Sequence, residues 1–110
     1  MSMKLVYLAS PYIHDDPEIM KYRVVATSEA LLLGLRNQKY MIYSPIVYMY
    51  PLSPYLPDDY NYMKSDLFML EKSNELWVLM LEGWEESKGV MKEIRIAKIR
   101  RIPIYYIAPR

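Results

Sequence analysis

The run ELWVLML at residues 75–81 carries apolar side chains on both faces once its first glutamate is passed. A strand of that kind has no face to give to water, so it belongs inside a parallel sheet covered on both sides. MKLVYLA at residues 3–9 ends at Ser10-Pro11 and reads as a second buried strand. YMIYSPI at residues 40–46, ending near Pro45, and IPIYYIA at residues 102–108 make four strands in all.

Helical patterns separate these strands. Asp16 suits an N-cap, Pro17 the first helical position and Glu18 the first turn. Met20, Val24, Leu31 and Leu35 then recur at helical spacing as far as Asn37. Asp58 and Asp59 open a second helix with Met63, Leu67 and Leu70 on one face. A third runs from about Ser87 to Arg101, with Val90, Ile94 and Ala97 inward and a basic end that complements the helix dipole. Residues 47–57 hold Pro51, Pro54, Pro57 and three tyrosines, which predicts an ordered loop.

The order β-α-β-α-β-α-β predicts an α/β fold: a Rossmann-like or flavodoxin-like open sheet, mostly parallel, with helices on both faces. A chain of 110 residues is expected to form one domain over residues 1–110. Ligands of such sheets bind outside the carboxyl ends of the strands, near the switch in strand order. The candidate positions therefore follow Ala9, Pro45 and Leu81.

Composition narrows the chemistry. With no cysteine, disulfides, thiolate metal sites and cysteine catalysis are excluded, and a single histidine excludes a multi-histidine metal site. Fourteen basic and thirteen acidic residues leave a net charge of +1, which gives no electrostatic argument for a nucleic-acid polymer or a membrane surface. No apolar run approaches the roughly 18 residues of a spanning helix. The first residues lack the pattern of a signal peptide, so a cytoplasmic location is expected. Twelve tyrosines against one phenylalanine suit half-buried walls, interfaces and pockets for flat ligands, although edge packing accounts for most of them.

Three segments converge on the expected binding edge: YLASPY at residues 7–12, Asp66, and GWEESKGVMKE at residues 83–93. On a helical wheel Glu93 and Asp66 each lie about 60° from the apolar stripe of their helix. A carboxylate there is either a salt-bridged boundary residue or a candidate for acid–base or nucleophilic work. Ser87-Lys88-Gly89 stands where a loop enters a helix. Such N–H groups bind anions, and Gly89 lets a ligand approach the backbone, while Ser87 also suits an ordinary N-cap. Neither GxxxxGK[ST] nor GxGxxG is present, which disfavours ATP hydrolysis and dinucleotide redox chemistry. His14 reads as a solvated turn residue, and Lys98, Arg100 and Arg101 as a solvated helix end.

YLASPY, Asp66 and the long segment ELWVLMLEGWEESKGVMKEIRIA, in that order, resemble the nucleoside 2-deoxyribosyltransferase superfamily. YLASPY, SPIVY and GWEESKG are more narrowly similar to a small bacterial and phage family without an assigned activity. The resemblance implies that Glu93 attacks the anomeric carbon, that Tyr7 holds it, and that Asp66 exchanges a proton with the base. Six residues before the glutamate, an aspartate marks transferases of free nucleosides and a serine marks deoxynucleotide hydrolases. Ser87 therefore implies a 5′-monophosphate, because a hydroxyl beside helix N–H groups accepts a dianion that an aspartate would repel.

On this reading Ser87 and Gly89 hold the phosphate, with Ser10 and Arg23 as further substrate contacts, although Arg23, one turn into the first helix, reads more simply as solvent-exposed. Tyr12, Tyr48 or Trp84 would stack on the base. The chemistry needs no metal or cofactor. It also needs Asp66 to hold a proton while Glu93 is ionised, so Asp66 is expected to have the higher pKa. The first loop, SPYIHDD, differs from the glycine-rich, arginine-bearing loop of the deoxynucleotide hydrolases. The resemblance also implies a homodimer or higher homo-oligomer in which a neighbouring subunit often completes the site; residues 47–62 either take that part here or form a dimer surface. A nucleotide-binding protein without turnover, or a protein-interaction module, is the alternative on the same fold.

Overall fold

The computed structural model describes residues 2–110. Four strands form one sheet: β1 (Lys4–Ala9), β2 (Tyr40–Tyr43), β3 (Glu75–Leu79) and β4 (Ile104–Ile107). Their order is β2-β1-β3-β4 and every pair is parallel. The helices between them are α1 (Pro17–Arg36), the short α2 (Pro45–Met49), α3 (Tyr62–Lys72) and α4 (Lys88–Ile99). Each strand is joined to the next through helix, as a parallel sheet requires. The expected open parallel α/β sheet is therefore the observed one.

Side-chain alternation along the strands builds two cores. Tyr7, Ala9, Leu76 and Val78 face α3 and α4, where Leu70, Val90, Ile94 and Ala97 meet them. Val6, Leu8, Ile42 and Leu79 face the other way, against Ala26, Ala30 and Leu31 of α1. Helices thus cover both faces. Since β1 lies between β2 and β3, the order reverses beside it, and the crevice opens beyond the carboxyl ends of β1 and β3.

Several boundaries differ from expectation. The second strand stops at Tyr43 because the Ser44 hydroxyl accepts from Val47 N–H and Pro45 opens α2. The segment 47–57 is therefore not wholly loop: it contains most of α2 and a 3₁₀ turn at Ser53–Tyr55. α3 starts after Asn61, whose side chain accepts from Lys64 N–H, and not at Asp58 or Asp59. The third strand ends at Leu79, two residues short of Leu81.

The inward face of α1 is also different. Arg23 and Thr27 are its buried residues, whereas Leu35 is 37% exposed. Ala26, Ala30 and Gly34 let this helix lie close to the sheet. A Cβ on Gly34 would come within 2.4 Å of Ile42 Cδ1. Close approach through small residues buries this face with little hydrophobic side-chain volume, and of the predicted stripe Leu31 packs on the core while Leu35 does not.

Candidate active site

Tyr7 lies at the centre of β1 with no exposed surface, and its hydroxyl donates to Glu93 Oε2. Glu93 stands in the second turn of α4, after the Ser87 hydroxyl has capped the helix by accepting from Val90 N–H at 3.3 Å. Only 8% of Glu93 is exposed, yet it lines a cleft of about 730 Å³ at the carboxyl edge of the sheet. With Oε2 held by Tyr7, Oε1 is the oxygen left to react. Asp66 of α3 lines the same cleft, so the two carboxylates singled out in the sequence share one space.

The helix entrance forms another wall, through Ser87, Lys88 and Gly89. The first N–H groups of a helix have no preceding turn to bond to. A Cβ built on Gly89 would meet nothing within 4 Å, and its φ is not in the left-handed region. Neither packing nor backbone conformation calls for glycine there, although glycine within a helix costs about 1 kcal/mol relative to alanine. Its effect is to leave the helix entrance open to the cleft. Ser10, at the end of β1, also lines the cleft and accepts from the Thr27 hydroxyl at 3.1 Å.

The outer wall is aromatic and aliphatic. Tyr12 meets Tyr50 edge-on at 6.2 Å between centroids, and Tyr62 stands one turn before Asp66 on α3. Ile46 and Met49 of α2 complete that side. Within residues 47–62, Met49, Tyr50, Ser53 and Tyr62 line the cleft.

Two expected contacts are elsewhere. Trp84 does not line the cleft: the 3₁₀ turn Trp84–Glu86 sends its ring onto Tyr106, 5.7 Å between centroids. Tyr48 packs on Tyr43 instead, at 5.8 Å. Arg23 is neither solvent-exposed nor part of the cleft lining. It is 8% exposed, and its guanidinium donates to Tyr12 O, Ile13 O and Glu82 O at 3.0–3.4 Å. These carbonyls belong to the loops after β1 and after β3, so Arg23 ties the two lips of the cleft together. Gly83 sits against Nη2 at a φ of 88°, where a Cβ would come within 2.7 Å. His14 is a turn residue, its Nδ1 accepting from Asp16 N–H.

Sequence reasoning missed Tyr43. It is the register partner of Tyr7 on β2, the ring centroids are 5.7 Å apart, and its hydroxyl donates to Asp66 Oδ1 at 3.4 Å. Pairing YMIY against KLVY in parallel register would have put the two tyrosines side by side.

Burial dominates the electrostatics. It pushes Glu93 up to about 7, with a smaller push from the Asp66 charge, against the Tyr7 hydrogen bond that favours the anion. It pushes Asp66 up to about 6, against the weaker effect of Tyr43. Burial thus raises both carboxyls in the unliganded protein, where only Asp66 was expected to be raised relative to its partner. Burial, together with the Glu93 and Asp66 charges, raises the Tyr7 phenol, which stays a donor. No cluster of three or more metal-ligating side chains occurs among the described residues.

A pH dependence of stability follows. Both carboxyls titrate higher when folded than their ordinary values of 4.5 and 3.8, so the folded state binds more protons than the unfolded state between those values and about 7. Their contribution is full below the ordinary carboxylate range and is lost as pH rises through about 7. Urea unfolding at pH 5 and pH 8 is expected to give the higher midpoint at about pH 5 for the unliganded protein. Equal midpoints would mean that the pair is not desolvated.

An open parallel sheet whose edge cleft holds a tyrosine-bonded glutamate, a second carboxyl and a helix entrance defines an α/β protein with a candidate small-molecule site. The comparisons place it further. The chain belongs to the family described as "Domain of unknown function (DUF4406)", whose model matches residues 23–106. The solved structure of a 2-deoxyribosyltransferase from the psychrotolerant bacterium Bacillus psychrosaccharolyticus aligns with 94% of this chain and 72% of its own, at a TM-score of 0.64 and 19% identity. The fold resemblance expected from the motifs is therefore present. No curated protein matches the chain. No helix among the described residues is long and apolar enough to cross a membrane.

Proposed function

We propose that this protein cleaves the N-glycosidic bond of a nucleoside or deoxynucleoside 5′-monophosphate, by hydrolysis or base transfer, with Glu93 as nucleophile. The observation that carries this reading is Glu93, held by the buried Tyr7 hydroxyl and lining the same cleft as Asp66 and the α4 entrance. The structural neighbour is a 2-deoxyribosyltransferase, the same class of reaction.

In the first step Oε1 of Glu93 bonds to C1′ of the sugar while the C1′–N bond breaks. The bonding pair leaves with the base, and the Asp66 carboxyl supplies a proton to a base nitrogen. The product is a glycosyl ester on Glu93. In the second step water, or a nitrogen of a second base, attacks C1′ and frees the Glu93 carboxylate, and the displaced proton returns to Asp66. Tyr7 orients the nucleophile and spreads its charge.

Ser87 and the N–H groups of Lys88 and Gly89 are assigned to the phosphate, with Ser10 beside the sugar. Among the described residues the Arg23 charge beneath the lips is paired with carbonyls alone, and so adds an attraction for an anion. Tyr12, with Tyr50 and Tyr62, takes the base. A reading as a binding protein without turnover is favoured by one observation, the burial that raises the Glu93 carboxyl to about 7 and so lowers its anionic fraction at neutral pH.

The test is free base, followed by chromatography, from a panel of nucleosides and their 5′-monophosphates, with and without a second base as acceptor. Release from monophosphates is expected from the wild type. Ser87→Asp is expected to lower kcat/KM for monophosphates by about 100-fold, two units of like-charge and hydrogen-bond loss, and to spare free nucleosides. Stoichiometric binding with no release would favour the binding protein. Preference for free nucleosides by the wild type would remove the phosphate assignment.

A further inference from the structure

The nucleophile and the proton donor are joined by contacts that run through two neighbouring strands. Glu93 accepts from Tyr7, the Tyr7 ring packs on the Tyr43 ring, and Tyr43 donates to Asp66. The tyrosines are register partners in the parallel β1–β2 ladder, so the sheet itself sets their spacing. Tyr48 also packs on the Tyr43 ring, with 5.8 Å between centroids. Contacts with two neighbouring rings restrict the swing of its hydroxyl away from α3.

We propose that Tyr43 is a positioning residue for the acid step: by donating to Oδ1 of Asp66 it leaves Oδ2 as the oxygen that carries the proton to the departing base. The argument is one of donors and acceptors. A protonated carboxyl has one hydroxyl oxygen and one oxygen that only accepts. An oxygen that already receives the phenol proton is disfavoured as the site of the acid proton. Tyr43 therefore selects which oxygen holds it and fixes the carboxyl plane. Burial and the Asp66 charge keep the phenol protonated, consistent with a donor role. This inference rests on the glycosidic reading above and adds to it the residue that sets the direction of proton delivery.

The test compares a purine monophosphate that the wild type cleaves with the same compound methylated at N7. The methylated base is cationic and leaves without needing a proton. Tyr43→Phe removes one oxygen and keeps the ring. It is expected to lower kcat for the ordinary purine by about tenfold, the size of one hydrogen bond to a reacting group, with KM held. The ratio of ordinary to methylated release should fall by the same factor. Glu93→Gln, as the control, should abolish release from both. Equal losses on both substrates, a rise in KM alone, or no loss at all would overturn the proposal while leaving the glycosidic reading in place. Absence of release by the wild type from both substrates would instead overturn that reading, and this proposal with it.

Discussion

Replacing Glu93 by glutamine is expected to lower base release by at least about a thousandfold, the order seen when a nucleophile is removed and binding alone remains. The amide keeps the shape of the carboxylate, and its oxygen can still accept from the Tyr7 hydroxyl. Glutamine cannot supply the anionic oxygen that forms the bond to C1′. The fold should survive, because the change deletes a buried charge and not a packing group. At pH 8, above the folded pKa of about 7, the variant is expected to unfold at a temperature equal to or higher than the wild type. Release assays and thermal unfolding on the same samples check both halves. Release at wild-type rates by a folded Glu93→Gln protein would assign the nucleophile elsewhere.

The largest stability loss is expected at Arg23. Its guanidinium serves three carbonyls, two after β1 and one after β3, from a site 8% exposed. Arg23→Met fills similar space but leaves those carbonyls without a donor. The expected loss is about 2–4 kcal/mol, since hydrogen bonds to charged groups are strong and buried acceptors are costly to leave unpaired. Gly83→Ala tests the same contact from the other side. It places a Cβ within 2.7 Å of Nη2 and holds a non-glycine residue at a φ of 88°. Both variants should lower the urea midpoint. If both tie the same two loops, the double variant should lose less than the sum of the single losses. Wild-type midpoints for both single variants would show that the lips hold together without this contact.

The elements were legible because their signals are local. ELWVLML declares a strand covered on both faces, and Ser87 followed by the Val90-Ile94-Ala97 stripe declares a capped amphipathic helix. Glu93 and Asp66 were legible by their odd wheel positions, and Tyr7 by the YLASPY motif. Ser44-Pro45 was misread because a proline ending a strand and a proline opening a helix look alike in a short window. Arg23 was misread because an arginine in an amphipathic helix is ordinarily solvated, and nothing nearby in sequence announces the carbonyls that it meets. Trp84 was misread because a loop position says nothing of the direction in which a 3₁₀ turn sends the ring.

The amino-acid sequence by itself determined the alternation of strands and helices, the parallel sheet, and the residue types available at its carboxyl edge. Those features come from hydrophobic periodicity, caps and breakers, each acting over a few residues. Tertiary structure alone decided which side chains meet: Tyr7 with Glu93 across 86 positions, Arg23 with Glu82 across 59, and Tyr43 with Asp66 across 23. It also decided that burial raises both carboxyls, Glu93 and Asp66. The physical reason is that strand register and burial are collective properties of the packed sheet. They set distance and dielectric between residues that share no local pattern.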